Sequence, residues 1–182
     1  MQKETAKDVS FLPEKEIFMK RTAVVYYSMS GNTEYIAKTV AESVSGTLIK
    51  LTPKKEYPSK GFSKFFWGGK SAVMGDTPAL EDYSFDAENF DRIVFGTPVW
   101  ASSFTPPLRT FIKDNREALS GKEFACFFCF SGGGADKAEE KLKKFLEIGD
   151  FSAKLVFVDP LAKKSAEKDE KIEEFCKKLA EE

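Results

Sequence analysis

From Thr22 onward the chain alternates short, nearly unbroken apolar runs with longer stretches in which apolar residues recur every three or four positions. The first pattern fits strands buried on both faces and the second fits amphipathic helices packed on them. Their alternation predicts an α/β domain with a parallel sheet. Five strands are expected: Thr22 to Ser28, Thr47 to Leu51, Arg92 to Gly96, Glu123 to Phe130 and Ala153 to Val158. Between and after them, Ile36, Val40 and Val44 form one helical stripe, Leu108, Phe111 and Ile112 a second, Ala138, Leu142, Phe145 and Leu146 a third, and Ile172, Phe175, Cys176 and Leu179 a fourth.

Residues 57 to 86 fit this rhythm less clearly. Phe62, Phe65, Phe66, Gly69, Ala72 and Val73 share a helical face, with Lys60, Lys64 and Lys70 off it, which predicts the crossover helix needed between the second and third strands, packed on the sheet. The alternative is a lid or dimer surface built on Phe66 and Trp67. Gly46 and Gly121 are expected at a helix end and a turn, and Pro106-Pro107 at the first turn of a helix. Residues 1–18 mix charge with apolar residues in no clear period and read as an N-terminal extension, with the domain spanning 19–182.

A chain of 182 residues suits one domain with one sizeable core. With 42% hydrophobic and 31% charged residues, and no apolar run of bilayer length, neither disorder nor a membrane protein is indicated. The mixed charges at the N-terminus do not read as a secretory signal, so the expected location is cytoplasmic. The absence of histidine removes Ser-His-Asp and Cys-His catalysis and any histidine-ligated zinc. A formal net charge of −1, with no basic stripe, speaks against nucleic acid as a partner. Cys126 and Cys129 stand three apart on an expected strand, so their side chains should point to opposite faces roughly 10 Å apart, which excludes a disulfide. Cys176 falls on an apolar helix face as a small core residue.

The candidate chemistry lies in Ser28-Met29-Ser30-Gly31-Asn32-Thr33, between the first apolar run and the first helical stripe. A strand that ends in hydroxyls and glycine at a helix start makes a phosphate cradle: free N–H groups point at the anion, and Ser28, Ser30 and Thr33 add hydroxyls. A P-loop would need a longer arc ending in lysine, and a dinucleotide fingerprint three spaced glycines. The segment resembles the first loop of the flavodoxin family, Thr/Ser-x-Thr/Ser-Gly-x-Thr, with Ser28, Ser30, Gly31 and Thr33 at the four fixed positions. The resemblance implies a flavodoxin-like, doubly wound five-stranded parallel sheet of order 2-1-3-4-5 with helices on both faces. It also implies flavin mononucleotide (FMN), its phosphate held by dipoles and hydroxyls without a counter-charge.

In open parallel sheets, flavodoxins among them, ligands lie at the carboxyl ends of the strands, where strand order reverses. Two more loops belong there. Thr97 to Phe104 resembles the family's isoalloxazine loop, which implies that Trp100 stacks on the flavin and that the backbone of Pro98, Val99, Trp100, Ala101 and Ser102 meets the ring's polar edge; Trp100 could instead simply cover the core. Ser131, Gly132, Gly133 and Gly134 form a glycine-rich third loop that a strand-to-helix turn alone would also explain. It lacks the family's second aromatic, leaving one flavin face open.

In the family, a peptide of the isoalloxazine loop turns over on reduction with help from a glycine. None is present from Trp100 to Ser103, where a left-handed residue costs about 1–2 kcal/mol. Asp76, Glu81 and Asp82 are candidate carboxylates at the rim. The function implied is FMN-dependent electron transfer between redox partner proteins. The alternatives are an NAD(P)H-dependent FMN oxidoreductase acting on a quinone-like acceptor, with a homodimer as one expected assembly, and a flavin-free binding module.

Overall fold

Alternate residues of each central strand enter different cores. In the computed structural model, which describes residues 20–57, 63–161 and 166–181, Ala23, Val25 and Tyr27 join one apolar cluster while Val24 and Tyr26 join the other. This period of two on a sheet covered on both sides sets the architecture. The elements are β1 (Thr22–Tyr26), α1 (Asn32–Ser43), β2 (Thr47–Lys50), α2 (Ser63–Met74), a 3₁₀ turn (Ala87–Asn89), β3 (Arg92–Pro98), α3 (Pro106–Asp114), β4 (Glu123–Phe130), α4 (Ala135–Leu146), β5 (Lys154–Val158) and α5 (Ala166–Glu181).

All strand pairs are parallel, in the order β2-β1-β3-β4-β5. The stripes of α1 and α5 pack on one face, with Ile36, Val40, Ile172 and Phe175 against Val94 and Phe127. Those of α3 and α4 pack on the other, with Leu108, Phe111, Ala138 and Leu142 against Phe95 and Phe128. The sheet order places β1 beside β3, and the order in which successive strands are laid down reverses there, while all strands keep the same direction. Gly96 makes room inside this sheet, because a β-carbon on it would come within 2.8 Å of the Phe127 ring.

Cys126 and Cys129 fall in opposite clusters, and all three cysteines are buried and free, as the strand period requires. Pro106 and Pro107 open α3 behind Thr105. Gly121 is left-handed before β4, as expected of a turn. At the end of α1, however, the left-handed residue is Ser45, while Gly46 is needed for close approach: a β-carbon there would stand 3.1 Å from the Thr22 carbonyl.

The crossover helix is present as α2, with Ala72 on its buried face as expected and Val73 turned away from it. Val73 is 69% exposed and belongs to neither cluster, whereas Ser71 and Ala72 are buried. Phe62 and residues 1–18 lie outside the described residues, as do the side chains of Phe65, Phe66 and Trp67. Among the described residues, no helix is long and apolar enough to cross a membrane.

At the amino-terminal edge of the sheet, Arg92 is 1% exposed and donates to Glu123 and to the Leu179 carbonyl, tying α5 to the strands. Lys20 and Ser152 also donate to Glu123. Burial alone would raise the Glu123 carboxyl, but the bonds from Lys20, Arg92 and Ser152 outweigh it and hold the group below the usual carboxylate range.

Candidate functional site

Gly31 ends the β1 loop in the left-handed region, with φ of 85°, and its carbonyl accepts from Tyr35 N–H at 2.9 Å to begin α1. The sharp turn leaves the first N–H groups of the helix facing outward from the end of the sheet. Ser28 Oγ is buried and has no hydrogen-bond partner, a costly state for a hydroxyl that a ligand oxygen would relieve. Thr33 is buried beside Cys129, whose thiol burial pushes up to about 12 against the opposing influence of the Thr33 hydroxyl. Asn32 reaches across instead, with Oδ1 accepting from Leu161 N–H at 2.9 Å. Glu34, in the first turn of α1, is held below its usual range by hydrogen bonds from Lys38 and Lys50, so its charge is compensated close to the helix start.

The loop after β3 is pinned at its neck, where Thr97 Oγ1 accepts from Thr105 N–H at 3.1 Å. At its tip, Trp100 and Ser103 exchange backbone hydrogen bonds of 2.9 and 3.0 Å around Ala101 and Ser102, whose φ angles are 48° and 53°. Two left-handed central residues are the requirement of a type I′ turn, a conformation normally given to Asn and Gly. The cost anticipated for a non-glycine loop is therefore already present, at about 1–2 kcal/mol for each of the two residues. Trp100 meets Tyr27 edge-on at 5.6 Å and Tyr57 at 5.0 Å, so it covers core residues and lines the cavity at once.

The third loop presses on the second, because Gly134, with φ of 87°, lies directly against Ser102. Ser131 Oγ donates to Asp159 at 2.6 Å, and Asp159 N–H in turn bonds the Phe130 carbonyl at 3.0 Å. Asp159 is itself left-handed, with φ of 39°.

Together the three loops enclose a cavity of about 310 Å³ at the carboxyl ends of β1, β3 and β4. Of the residues expected from sequence, Ser30, Asn32, Thr33, Pro98, Val99, Trp100, Ala101, Ser131, Gly132 and Gly133 line it. Gly31, Ser102 and Gly134, also expected there, are not among its lining residues. Ser28 lines an adjoining cavity of about 220 Å³ with Tyr27 and Tyr57. The cavity also uses Met29, from within the first loop, and Gly69, Cys129, Phe130 and Asp159, which the sequence patterns did not place there.

The expected rim carboxylates are a correction. Asp76 lines a different cavity, Asp82 lies beside Thr47 to Lys50 at the edge of the sheet, and the Glu81 N–H is bound to the Thr52 carbonyl. The carboxylate in the cavity is Asp159, which the rule placing ligands at strand carboxyl ends could have flagged, since it directly follows β5.

A sequence model of the flavodoxin domain matches residues 70–179, more than half of the chain. The chain belongs to the flavodoxin domain family. That match begins after the Ser28 to Thr33 loop, so it stands independently of the motif at the first loop.

Solved structures agree on the flavodoxin fold. The Lactobacillus acidophilus flavoprotein crystallised in complex with FMN superimposes with a TM-score of 0.66 at 20% identity, covering 84% of this chain and 98% of its own. The WrbA-like flavodoxin of Agrobacterium tumefaciens gives 0.57 at 18% identity, covering 89% and 96%. Two-electron reduced Megasphaera elsdenii flavodoxin gives 0.56 at 16%, covering 88% and 99%.

Proposed function

We propose that this flavodoxin domain binds FMN in the 310 Å³ cavity and transfers electrons between redox partners in the cytoplasm. The observation that carries the reading is the convergence of three loops on one cavity at the β1/β3 reversal, beside a helix start and a buried, partnerless Ser28 hydroxyl. These donors fit a phosphate: the N–H groups at the start of α1 supply the dipole and Ser28, Ser30 and Thr33 the hydroxyls. Trp100, fixed by Tyr27 and Tyr57, offers an apolar surface to a flat ring and shields it from water on one side. Pro98 to Ser102 provide backbone groups for the ring's polar edge, Pro98 as acceptor only. The Asp159 carboxylate, already bound by Ser131, retains acceptor capacity for sugar-chain hydroxyls. The cofactor supplies one- and two-electron chemistry when bound. The Lactobacillus flavoprotein, solved in complex with FMN, supports the choice of ligand.

Reconstitution with FMN followed by anaerobic reductive titration tests the reading. One tightly bound FMN per chain and reversible bleaching are expected; a folded protein that takes up no FMN rejects it. A second reading, an NAD(P)H-dependent FMN oxidoreductase, is favoured by the formal net charge of −1, which gives little long-range steering toward a charged protein partner. Rapid NAD(P)H oxidation by the loaded protein in the presence of a quinone would select it.

A further inference from the structure

A second cavity beside the proposed flavin site has a volume of about 560 Å³ and, among the described residues, shares no lining residue with that site. Its interior is formed by the half-buried Tyr57 and Pro78 and the buried Ser71, and exposed Lys55, Glu56 and Asp76 stand at its rim. We propose that this cavity binds a neutral, planar aromatic molecule bearing carbonyl or hydroxyl groups at its edge, a quinone-like acceptor. Its biological purpose rests on the FMN reading above; its geometry does not.

The size lies within the range of small-molecule sites, about 300–1,000 Å³. The walls are built in advance of any ligand. Lys54 N–H bonds the Ala79 carbonyl at 2.8 Å, Glu81 N–H bonds the Thr52 carbonyl at 2.7 Å, and Pro53 bridges Leu80, so the two segments that flank the cavity are clamped together. Thr110 Oγ1 on α3 donates to the Pro78 carbonyl at 2.9 Å and anchors the same wall to the core. Tyr57 and Pro78 present flat apolar surface suited to a ring. The Tyr57 and Ser71 hydroxyls bond each other at 3.3 Å, which leaves one of their two protons to donate to a carbonyl oxygen, and burial raises the Tyr57 phenol so that it stays protonated. Two carboxylates against one ammonium at the rim disfavour an anionic occupant such as a dinucleotide.

Position supplies the link to the first site. Tyr57 lies 5.0 Å, centroid to centroid, from Trp100, which lines the proposed flavin cavity. Gly69 and Ser71, two residues apart on α2, contribute to one cavity each. A ring held against Tyr57 therefore stands one aromatic pair away from the flavin cavity.

The test is equilibrium dialysis of 2-methyl-1,4-naphthoquinone against the full chain, apo and loaded with oxidised FMN, with FMN affinity measured separately. Saturable binding at one site is expected in both forms. Thr77→Trp and Asp76→Trp, which add bulk at exposed lining positions, should each weaken it at least tenfold while FMN affinity stays within twofold; a variant counts only if its circular dichroism matches wild type. Absence of saturable binding, or unchanged binding in the folded variants, overturns the proposal. Failure to bind FMN with the naphthoquinone still held overturns the FMN reading alone.

Discussion

Gly134 and Ser102 are in contact across two loops: a β-carbon added to Gly134 would lie 3.0 Å from Ser102 Cβ and 3.1 Å from its Cα. Because Gly134 also has φ of 87°, any side chain there is opposed by both backbone strain and a backbone neighbour. Gly134→Ala should push the Trp100 to Ser103 turn out of place and weaken FMN binding by about tenfold, roughly 1.4 kcal/mol. Gly132 and Gly133 have nothing within 4 Å of an added β-carbon, so their alanine variants should leave the Trp100 to Ser103 turn in place and keep the stability of wild type. Quenching of FMN fluorescence on titration measures the first, and thermal denaturation the other two.

Ser30→Glu sets a carboxylate at the cradle beside Asn32 and Thr33. Repulsion in a sheltered site outweighs the lost hydroxyl, so FMN affinity should fall by about a hundredfold or more while the circular dichroism spectrum is retained. Riboflavin, without the phosphate, should bind wild type much more weakly than FMN and be far less sensitive to this substitution.

Trp100→Ala removes ring surface rather than phosphate contacts. It should weaken riboflavin and FMN by the same factor, about tenfold, since stacking is worth roughly 0.5–1.5 kcal/mol beyond the area it buries. A loss confined to FMN would place Trp100 away from the ring.

The left-handed pair Ala101 and Ser102 makes the turn a source of strain. Ala101→Gly should stabilise the protein by about 1 kcal/mol, seen as a rise of roughly 2–4 °C in Tm. An unchanged or lower Tm would count against strain at this residue.

Glu123 governs acid sensitivity. Its carboxyl is held low in the folded protein, so its stabilisation is complete above the ordinary carboxylate range and is lost as pH falls through the lowered folded value. The exposed Asp91, brought to about 2 by hydrogen bonds from Arg21, slopes the same way. Glu123→Gln leaves the buried Arg92 without its carboxylate, and should cost about 2 kcal/mol at pH 7, less than a fully buried pair because Glu123 is partly open to water. The same variant should flatten the decline in stability between pH 5 and pH 3, as read from urea denaturation at each pH.

Much of this architecture is written in local pattern. The apolar run from Glu123 to Phe130 matches β4 at both ends, and the stripes on α1, α3 and α5 all face inward. Pattern fails where contact is distant or conformation is imposed. Nothing in Ala101-Ser102 favours a left-handed pair, which the Trp100–Ser103 hydrogen bonds enforce. Asp159 reaches the cavity only because β5 pairs with β4. Val73 occupies an apolar position on a helical wheel, yet α2 turns it outward, with the neighbouring Met74 also 66% exposed.

Cys129 forms part of the cavity lining, yet burial keeps its sulfur protonated at neutral pH, and the same holds for Cys126 and Cys176. Oxidants attack the thiolate rather than the thiol. A flavin reduced in air generates peroxide at its own doorstep, and the raised thiols of this fold leave it little thiolate to attack.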